Sequence, residues 1–198
     1  MNGDKLQVSL ERARELKESI DRFLEFKEKF MNETEHKRNA KREEHKREIL
    51  RYLKGTEEDW QDWHWQIKNR ISSEEIAGEF LSLSEQDKKN ICEIGKVYRW
   101  ATTPYYLSLM DFEDNEYPIN KMAIPSADEW DESGNLDPMS EEYTNPAPCI
   151  TRRYPNRLIV NVTSACAMFC RHCQRRRRIG EIDQIESKEN IDAALAYI

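Results

Sequence analysis

Long apolar runs are missing from this 198-residue chain. No stretch approaches the roughly 20 apolar residues that a bilayer-spanning helix needs, and the mean hydropathy is −0.92, so a membrane protein is excluded. Glycine is scarce, at six residues, which excludes collagen-like and silk-like repeats. The first twenty residues are charged from Asp4 onward and lack the apolar segment of a secretory signal. Proline is absent before Pro104, and all seven prolines fall between Pro104 and Pro155. Five cysteines make an odd count. Without a secretory signal they are expected as thiols or metal ligands in a reducing, cytoplasmic setting, not as disulfides. What is present excludes low-complexity disorder: five Trp, eight Tyr and six Phe are enough to build a modest core. The length fits one domain, or one domain plus part of another.

The net charge of −7 hides a division. Residues 1–59 are balanced, with 15 basic and 15 acidic groups, whereas residues 60–150 carry 7 basic and 18 acidic groups. Residues 151–198 reverse the sign, with 9 basic and 5 acidic groups. A basic island on an acidic protein points to a local anionic ligand and away from a broad nucleic-acid surface.

Helical periodicity runs over residues 5–31 through Leu6, Leu10, Leu16, Ile20, Phe23, Leu24 and Phe30. The charged stretch 33–54 reads as a second, solvated helix ending near Gly55. Thr56 with Asp59 marks a helix start, after which Trp60, Trp63 and Ile67 fall on one helical face and are expected to pack. Ser72 or Ser73 caps a short helix carrying Ile76, Phe80, Leu81 and Leu83. Ser84 to Tyr98 reads as another, with Cys92 as a core thiol. From Thr103 to Pro155 the chain is expected to be irregular, acid-rich and wrapped over another body by Tyr105, Tyr106, Phe112, Tyr117, Trp130 and Tyr143. The β-branched run Leu158, Ile159, Val160 and Val162 reads as a buried, parallel strand. Ser187 then caps a helix expected to turn Ile191, Ala194, Leu195 and Ile198 inward. The reading is therefore α/β, with a helical region at 1–102, an irregular Pro/acid-rich wrapping segment at 103–155 and a strand–loop–helix unit at 156–198.

Chemistry is concentrated in the loop between that strand and that helix. Cys166, Cys170 and Cys173 are separated by three and two residues, so a loop can bring their thiolates to one centre. Structural zinc sites prefer four protein ligands in two separated pairs, and no second pair is nearby. Three thiolates suit a [4Fe–4S] cluster with one open iron, with a small zinc module as the weaker alternative. Cys149, between Pro148 and Ile150, lies outside the motif. Four consecutive arginines, Arg175 to Arg178, follow it; Arg176, Arg177 and Arg178 are expected in salt bridges to the acidic segment or in an exposed turn.

Cys-x3-Cys-x2-Cys after a first strand resembles the signature of radical S-adenosylmethionine (SAM) enzymes. The longer stretch Thr151 to Glu181, with Trp60 to Ile71, Thr103 to Leu109 and Lys121 to Ala127, resembles the lysine/glutamate 2,3-aminomutase family. Ala165 and Cys166-Ala-Met-Phe, with Gln174 and Arg175, look more like the glutamate enzymes than the lysine ones, the lysine type being the alternative. The resemblance implies a [4Fe–4S] cluster on Cys166, Cys170 and Cys173, and SAM at the open iron with His172 in contact with it. It also implies pyridoxal phosphate (PLP), whose phosphate Arg153 and Arg157 would approach, and an α-carboxylate clamp at Arg175. The implied reaction moves an amino group from C2 to C3 of a small amino-acid substrate. The implied fold is the first strand–loop–helix unit of an incomplete (β/α) barrel.

Relatives are roughly twice as long, and their PLP-holding lysine and glycine-rich SAM loop match no residue here. A single strand and helix leave unpaired edges and an uncovered apolar face. The chain alone is therefore expected to be inactive unless a second polypeptide completes the barrel, the alternative being a truncated, non-catalytic iron–sulfur-binding fragment. Neither nucleic acid nor a membrane is expected as a partner. A completing C-terminal half is, or a second subunit against the helical N-terminal region.

Overall fold

The computed structural model describes residues 3–131, 133–135 and 137–198, the side chains of 3, 4 and 29–36 excepted. By contact density the chain divides into two compact units, Met1–Glu48 and Ile49–Ile198. Helix α1 spans Gly3–Leu53 without a break. The expected division into two helices near residue 32 does not occur, because neither proline nor glycine interrupts the run. In the first unit Leu6, Leu10, Leu16, Ile20, Phe23 and Leu24 are all exposed; the side chain of Phe30 lies outside the described residues.

The second unit opens with the end of α1. Lys54 turns left-handed at φ 54, and Gly55 N–H donates to the Leu50 carbonyl at 2.9 Å, satisfying a terminal helix acceptor. Thr56 and Asp59 then form the expected capping box for α2, Glu57–Gln61. The expected single face of Trp60, Trp63 and Ile67 is not formed. Asp62 adopts extended backbone and caps a new helix, α3, Trp63–Lys68, by accepting from His64 N–H at 2.9 Å. Trp60 is buried, while Trp63 is 66% exposed. Ser73 caps α4, Glu74–Gly78, and Ser84 caps α5, Glu85–Val97, with a second capping box.

Between residues 103 and 155 the chain is more regular than its prolines imply. Pro104 and Pro118 occupy first-turn positions of α6, Pro104–Ser108, and α7, Pro118–Ala123, where a missing N–H costs nothing. Two 3₁₀ turns follow, Ala127–Trp130 and Glu141–Thr144. Leu107, Met110, Phe112 and Ala123 from this segment join Ile49, Leu50, Trp60, Ile71, Ala77, Leu81, Ile91, Trp100 and Met168 in one core. Tyr143 is 83% exposed and contributes nothing to it.

Strand β1, Ile150–Tyr154, pairs antiparallel with β2, Arg157–Val160, with Ile150 opposite Val160 and Tyr154 opposite Arg157. This corrects the expectation of a buried parallel strand. Within the described residues the partner of β2 is its sequence neighbour, joined through Pro155 and Asn156, and β2 is only half-buried. The cysteine loop follows, and Ser187 caps α8, Lys188–Tyr197, by accepting from Asn190 N–H. Ala194 of α8 is fully buried, but Leu195 and Ile198 are exposed, contrary to expectation. The chain is thus helix-rich with a two-stranded sheet. Among the described residues no helix is long and apolar enough to cross a membrane.

Candidate functional site

The cysteine loop lies against the segment between α5 and α6. Phe169 N–H donates to the Ala101 carbonyl at 3.1 Å, and Thr103 N–H donates to the Ala167 carbonyl at 2.9 Å. Thr102 bridges Ile71 on one side and Met168 on the other. Apolar burial and hydrogen bonding act together here: Met168 and Phe169 are buried between Cys166 and Cys170 and act as the root of the loop. Arg99 and Arg70 stack on the Phe169 ring at 4.5 and 5.3 Å. Both pair with Asp183, Arg99 at 2.9 Å, and Arg70 also donates to the Cys166 carbonyl at 2.9 Å.

On this root the first two cysteines share one backbone acceptor. The Sγ atoms of Cys166 and Cys170 lie 3.1 and 3.8 Å from the same Met168 carbonyl oxygen. Cys173 N–H donates to the Cys170 carbonyl at 3.1 Å, which turns the third cysteine back toward the second. Burial first, then the neighbouring Cys166 and Cys173, pushes the Cys170 thiol up. Like charges nearby oppose ionisation of Cys170, and a bound cationic centre would relieve that opposition. Soft thiolate donors with a fourth position open suit an iron–sulfur cluster, so the donor set fits one. Among the described residues no group of three or more His, Cys, Asp or Glu is placed so that it could hold a metal ion, so the fit rests on the chemistry of the donors and not on their spacing.

His172 is exposed. With Cys173 and Gln174 it lines a cavity of about 540 Å³ that also takes in Tyr98, Glu129, Arg171 and Arg176. A larger cavity, about 790 Å³, is lined by Arg70, Cys92, Arg99, Arg176 and Gly180 and holds none of the three motif cysteines. Cys92 is half-buried and not a core thiol; the nearby Glu74 carboxylate, more than burial, pushes it up. The Sγ of Cys149 lies 3.7 Å from the Asn190 carbonyl at the start of α8.

The arginines are sorted by their partners. Arg175 pairs with Glu141 at 2.9 Å, and Glu141 is 1% exposed. Arg176, Arg177 and Arg178 pair with Glu129 at 2.7 Å, Asp137 at 2.9 Å and Glu186 at 3.2 Å. Two of these three partners belong to the acidic segment, as the charge pattern implies, and the three arginines form a 3₁₀ turn. Arg153 and Arg157 are exposed on the hairpin. Arg157 lies 4.6 Å above the Tyr154 ring, and Arg153 helps to hold the Asp137 carboxyl ionised. The partners Glu129, Glu141 and Asp183, and the arginines Arg70, Arg99 and Arg171, were not singled out by sequence reasoning. Their only signal was the excess of acid upstream of a basic island.

No known protein-family profile matches this chain. Individual relatives do. Glutamate 2,3-aminomutase of Clostridioides difficile (strain 630) is 47% identical over 197 residues, which is 99% of this chain and 46% of that protein. L-lysine 2,3-aminomutase of Fusobacterium nucleatum is 41% identical over 72% of this chain and 34% of its own length. The enzyme of the same name from Clostridium subterminale is 41% identical over 71% of this chain and 34% of its own. The chain thus spans about half the length of the first of these relatives and about a third of the others. Homology of this extent carries the resemblance read from the cysteine loop and its flanking blocks: the chain belongs to the lysine/glutamate 2,3-aminomutase family.

Proposed function

We propose that this chain is part of a radical SAM, PLP-dependent enzyme that moves the amino group of glutamate from C2 to C3. The observation that carries the reading is the extent of the match. Identity to the glutamate enzyme is 47% and runs through 99% of the chain, whereas the lysine enzymes match at 41% over 71–72% of it. Cys166, Cys170 and Cys173 would hold a [4Fe–4S] cluster, His172 would contact SAM, Arg153 and Arg157 would take the PLP phosphate, and Arg175 the substrate α-carboxylate. Bound together, these cofactors supply a carbon-centred radical that removes hydrogen from the substrate and an electron sink for the migrating nitrogen.

The protein's own residues supply position and charge. Three thiolates on one anchored loop fix the cluster's ligands relative to the body of the second unit. Guanidinium forks match phosphate and carboxylate bidentately, which sets the orientation of both anions. Arg175 already lies on a buried carboxylate, Glu141, which holds its side chain in one direction. The remaining part of the family's length, in the same or a second polypeptide, completes the PLP and substrate sites.

Anaerobic reconstitution with iron and sulfide tests the cluster. The expected result is a brown protein whose electron paramagnetic resonance (EPR) signal changes when SAM is added. A colourless, zinc-loaded, oxygen-stable protein would refute the assignment. Conversion of glutamate, and not lysine, to the β-amino acid by the completed enzyme tests the substrate; the reverse preference would move the chain to the lysine type.

A further inference from the structure

The cysteine loop is held at its far end by a carboxylate from a distant part of the chain. Arg171, between Cys170 and His172, directs its guanidinium to Glu129, with Nε donating to Oε1 at 2.7 Å and Nη2 donating to Oε2 at 2.6 Å. Its Nη1 donates to the Arg99 carbonyl at 3.2 Å, and its backbone N–H donates to the Met122 carbonyl at 2.8 Å. Arg176 donates to the same Glu129 Oε2 at 2.7 Å. All three side chains are deeply buried: Arg171 is 6% exposed, and Glu129 and Arg176 are 14% exposed. Glu129 is itself fixed, because the backbone N–H of Ser126 donates to its Oε1 at 3.3 Å and closes the 3₁₀ turn Ala127–Trp130. Glu129, Arg171, Cys173 and Arg176 line the same 540 Å³ cavity.

We infer that Glu129 is a positioning residue for the cysteine loop and sets the charge felt by a group bound at Cys166, Cys170 and Cys173, an inference that rests on the iron–sulfur reading above. The geometric part follows from the bidentate fork. Arg171 is the bonded neighbour of Cys170, so fixing its guanidinium fixes the backbone between the second and third ligands. The electrostatic part follows from counting charges. Two buried guanidiniums meet one carboxylate, so this group of three carries one net positive charge. Removing the Glu129 charge raises the net charge of the group to two, and removing that of Arg176 brings it to zero, while the Arg70–Arg99–Asp183 group at the loop root is unchanged. Reduction adds an electron to a cluster, so positive charge favours it. At roughly 10 Å and an effective dielectric constant of about 20, one unit charge changes an equilibrium by about tenfold.

The test compares wild type, Glu129→Gln, Arg176→Gln and the double variant, each reconstituted anaerobically. Iron per chain, thermal melting and the cluster midpoint potential in an EPR-monitored redox titration are measured. The potential should rise in Glu129→Gln by about tenfold in the reduction equilibrium, which is ~59 mV for one electron. It should fall in Arg176→Gln and return to the wild-type value in the double variant, where the charge balance is restored. A residue with a merely structural role lowers the melting temperature and leaves the potentials equal, so four equal potentials at full iron occupancy overturn the inference. If Glu129→Gln does not fold, Arg176→Gln decides: a lowered potential supports the inference and an unchanged one overturns it. A wild-type protein that takes up no cluster sinks the iron–sulfur reading and this inference with it, whereas a wild-type cluster with an unresponsive potential sinks this inference alone.

Discussion

Asp183 shows how much one side chain can organise. Its carboxylate accepts from both Arg70 and Arg99, and these two guanidiniums lie over the ring of Phe169 at the root of the cysteine loop. Burial works to raise its pKa, but the two arginines outweigh that and hold it below the ordinary value. Asp183→Ala leaves two cations without their shared partner and is expected to destabilise the fold by about 2 kcal/mol, read as a lowered urea midpoint. The cysteines differ by place in the same way. Cys170→Ala should abolish iron binding after reconstitution, while Cys149→Ala should retain the full wild-type iron content. A cluster retained in the first variant would refute the ligand set.

At the scale of elements, the boundaries are decided by caps and not by the apolar pattern. The indole of Trp65 packs so close to Gly55 that an added Cβ would come within 2.5 Å of it. Gly55→Ala should therefore cost about 1–3 kcal/mol through overpacking, measured by chemical denaturation. The break at Asp62 separates two tryptophans that a continuous helix would have put on one face. Trp60 is 8% exposed and Trp63 is 66% exposed. Trp60→Ala should cost about 3–5 kcal/mol, and Trp63→Ala less than about 0.5 kcal/mol. Equal costs would restore the single-face arrangement.

Across the whole molecule, the charge division seen along the chain becomes a set of pairings. The acidic segment supplies Glu129, Asp137 and Glu141, and the basic island supplies Arg171, Arg175, Arg176 and Arg177. Burial raises the carboxyls of Glu129 and Asp137. For Glu129 the two arginines outweigh it, and for Asp137 the backbone N–H groups of Glu142 and Glu141, with Arg177 and Arg153, do so; both end below their ordinary values of 4.5 and 3.8. A carboxyl depressed on folding contributes stability that is present above its ordinary value and is lost as pH falls below it. Thermal melting should therefore be level near neutral pH and fall as pH drops through about 4.5 and below. The fall should be shallower in Glu129→Gln, because that group no longer takes up a proton on unfolding.

The sequence by itself determined the local signals: the Thr56, Ser73, Ser84 and Ser187 caps, the cysteine spacing, and the opposed charges of residues 60–150 and 151–198. Each depends on residues a few positions apart, or on composition, so no fold is needed to read them. The family, too, was legible in the motif blocks around Trp60, Thr103, Lys121 and Thr151. Only the tertiary structure decided that β2 turns back on β1, that Asp62 divides Trp60 from Trp63, and which acid each arginine meets. The Arg171–Glu129 and Arg70–Asp183 pairs join residues 42 and 113 positions apart. Charge composition can require that such pairs exist, but the choice among many acids is made by packing, when Met168 and Phe169 are buried and carry the cysteine loop down onto the chain that precedes it.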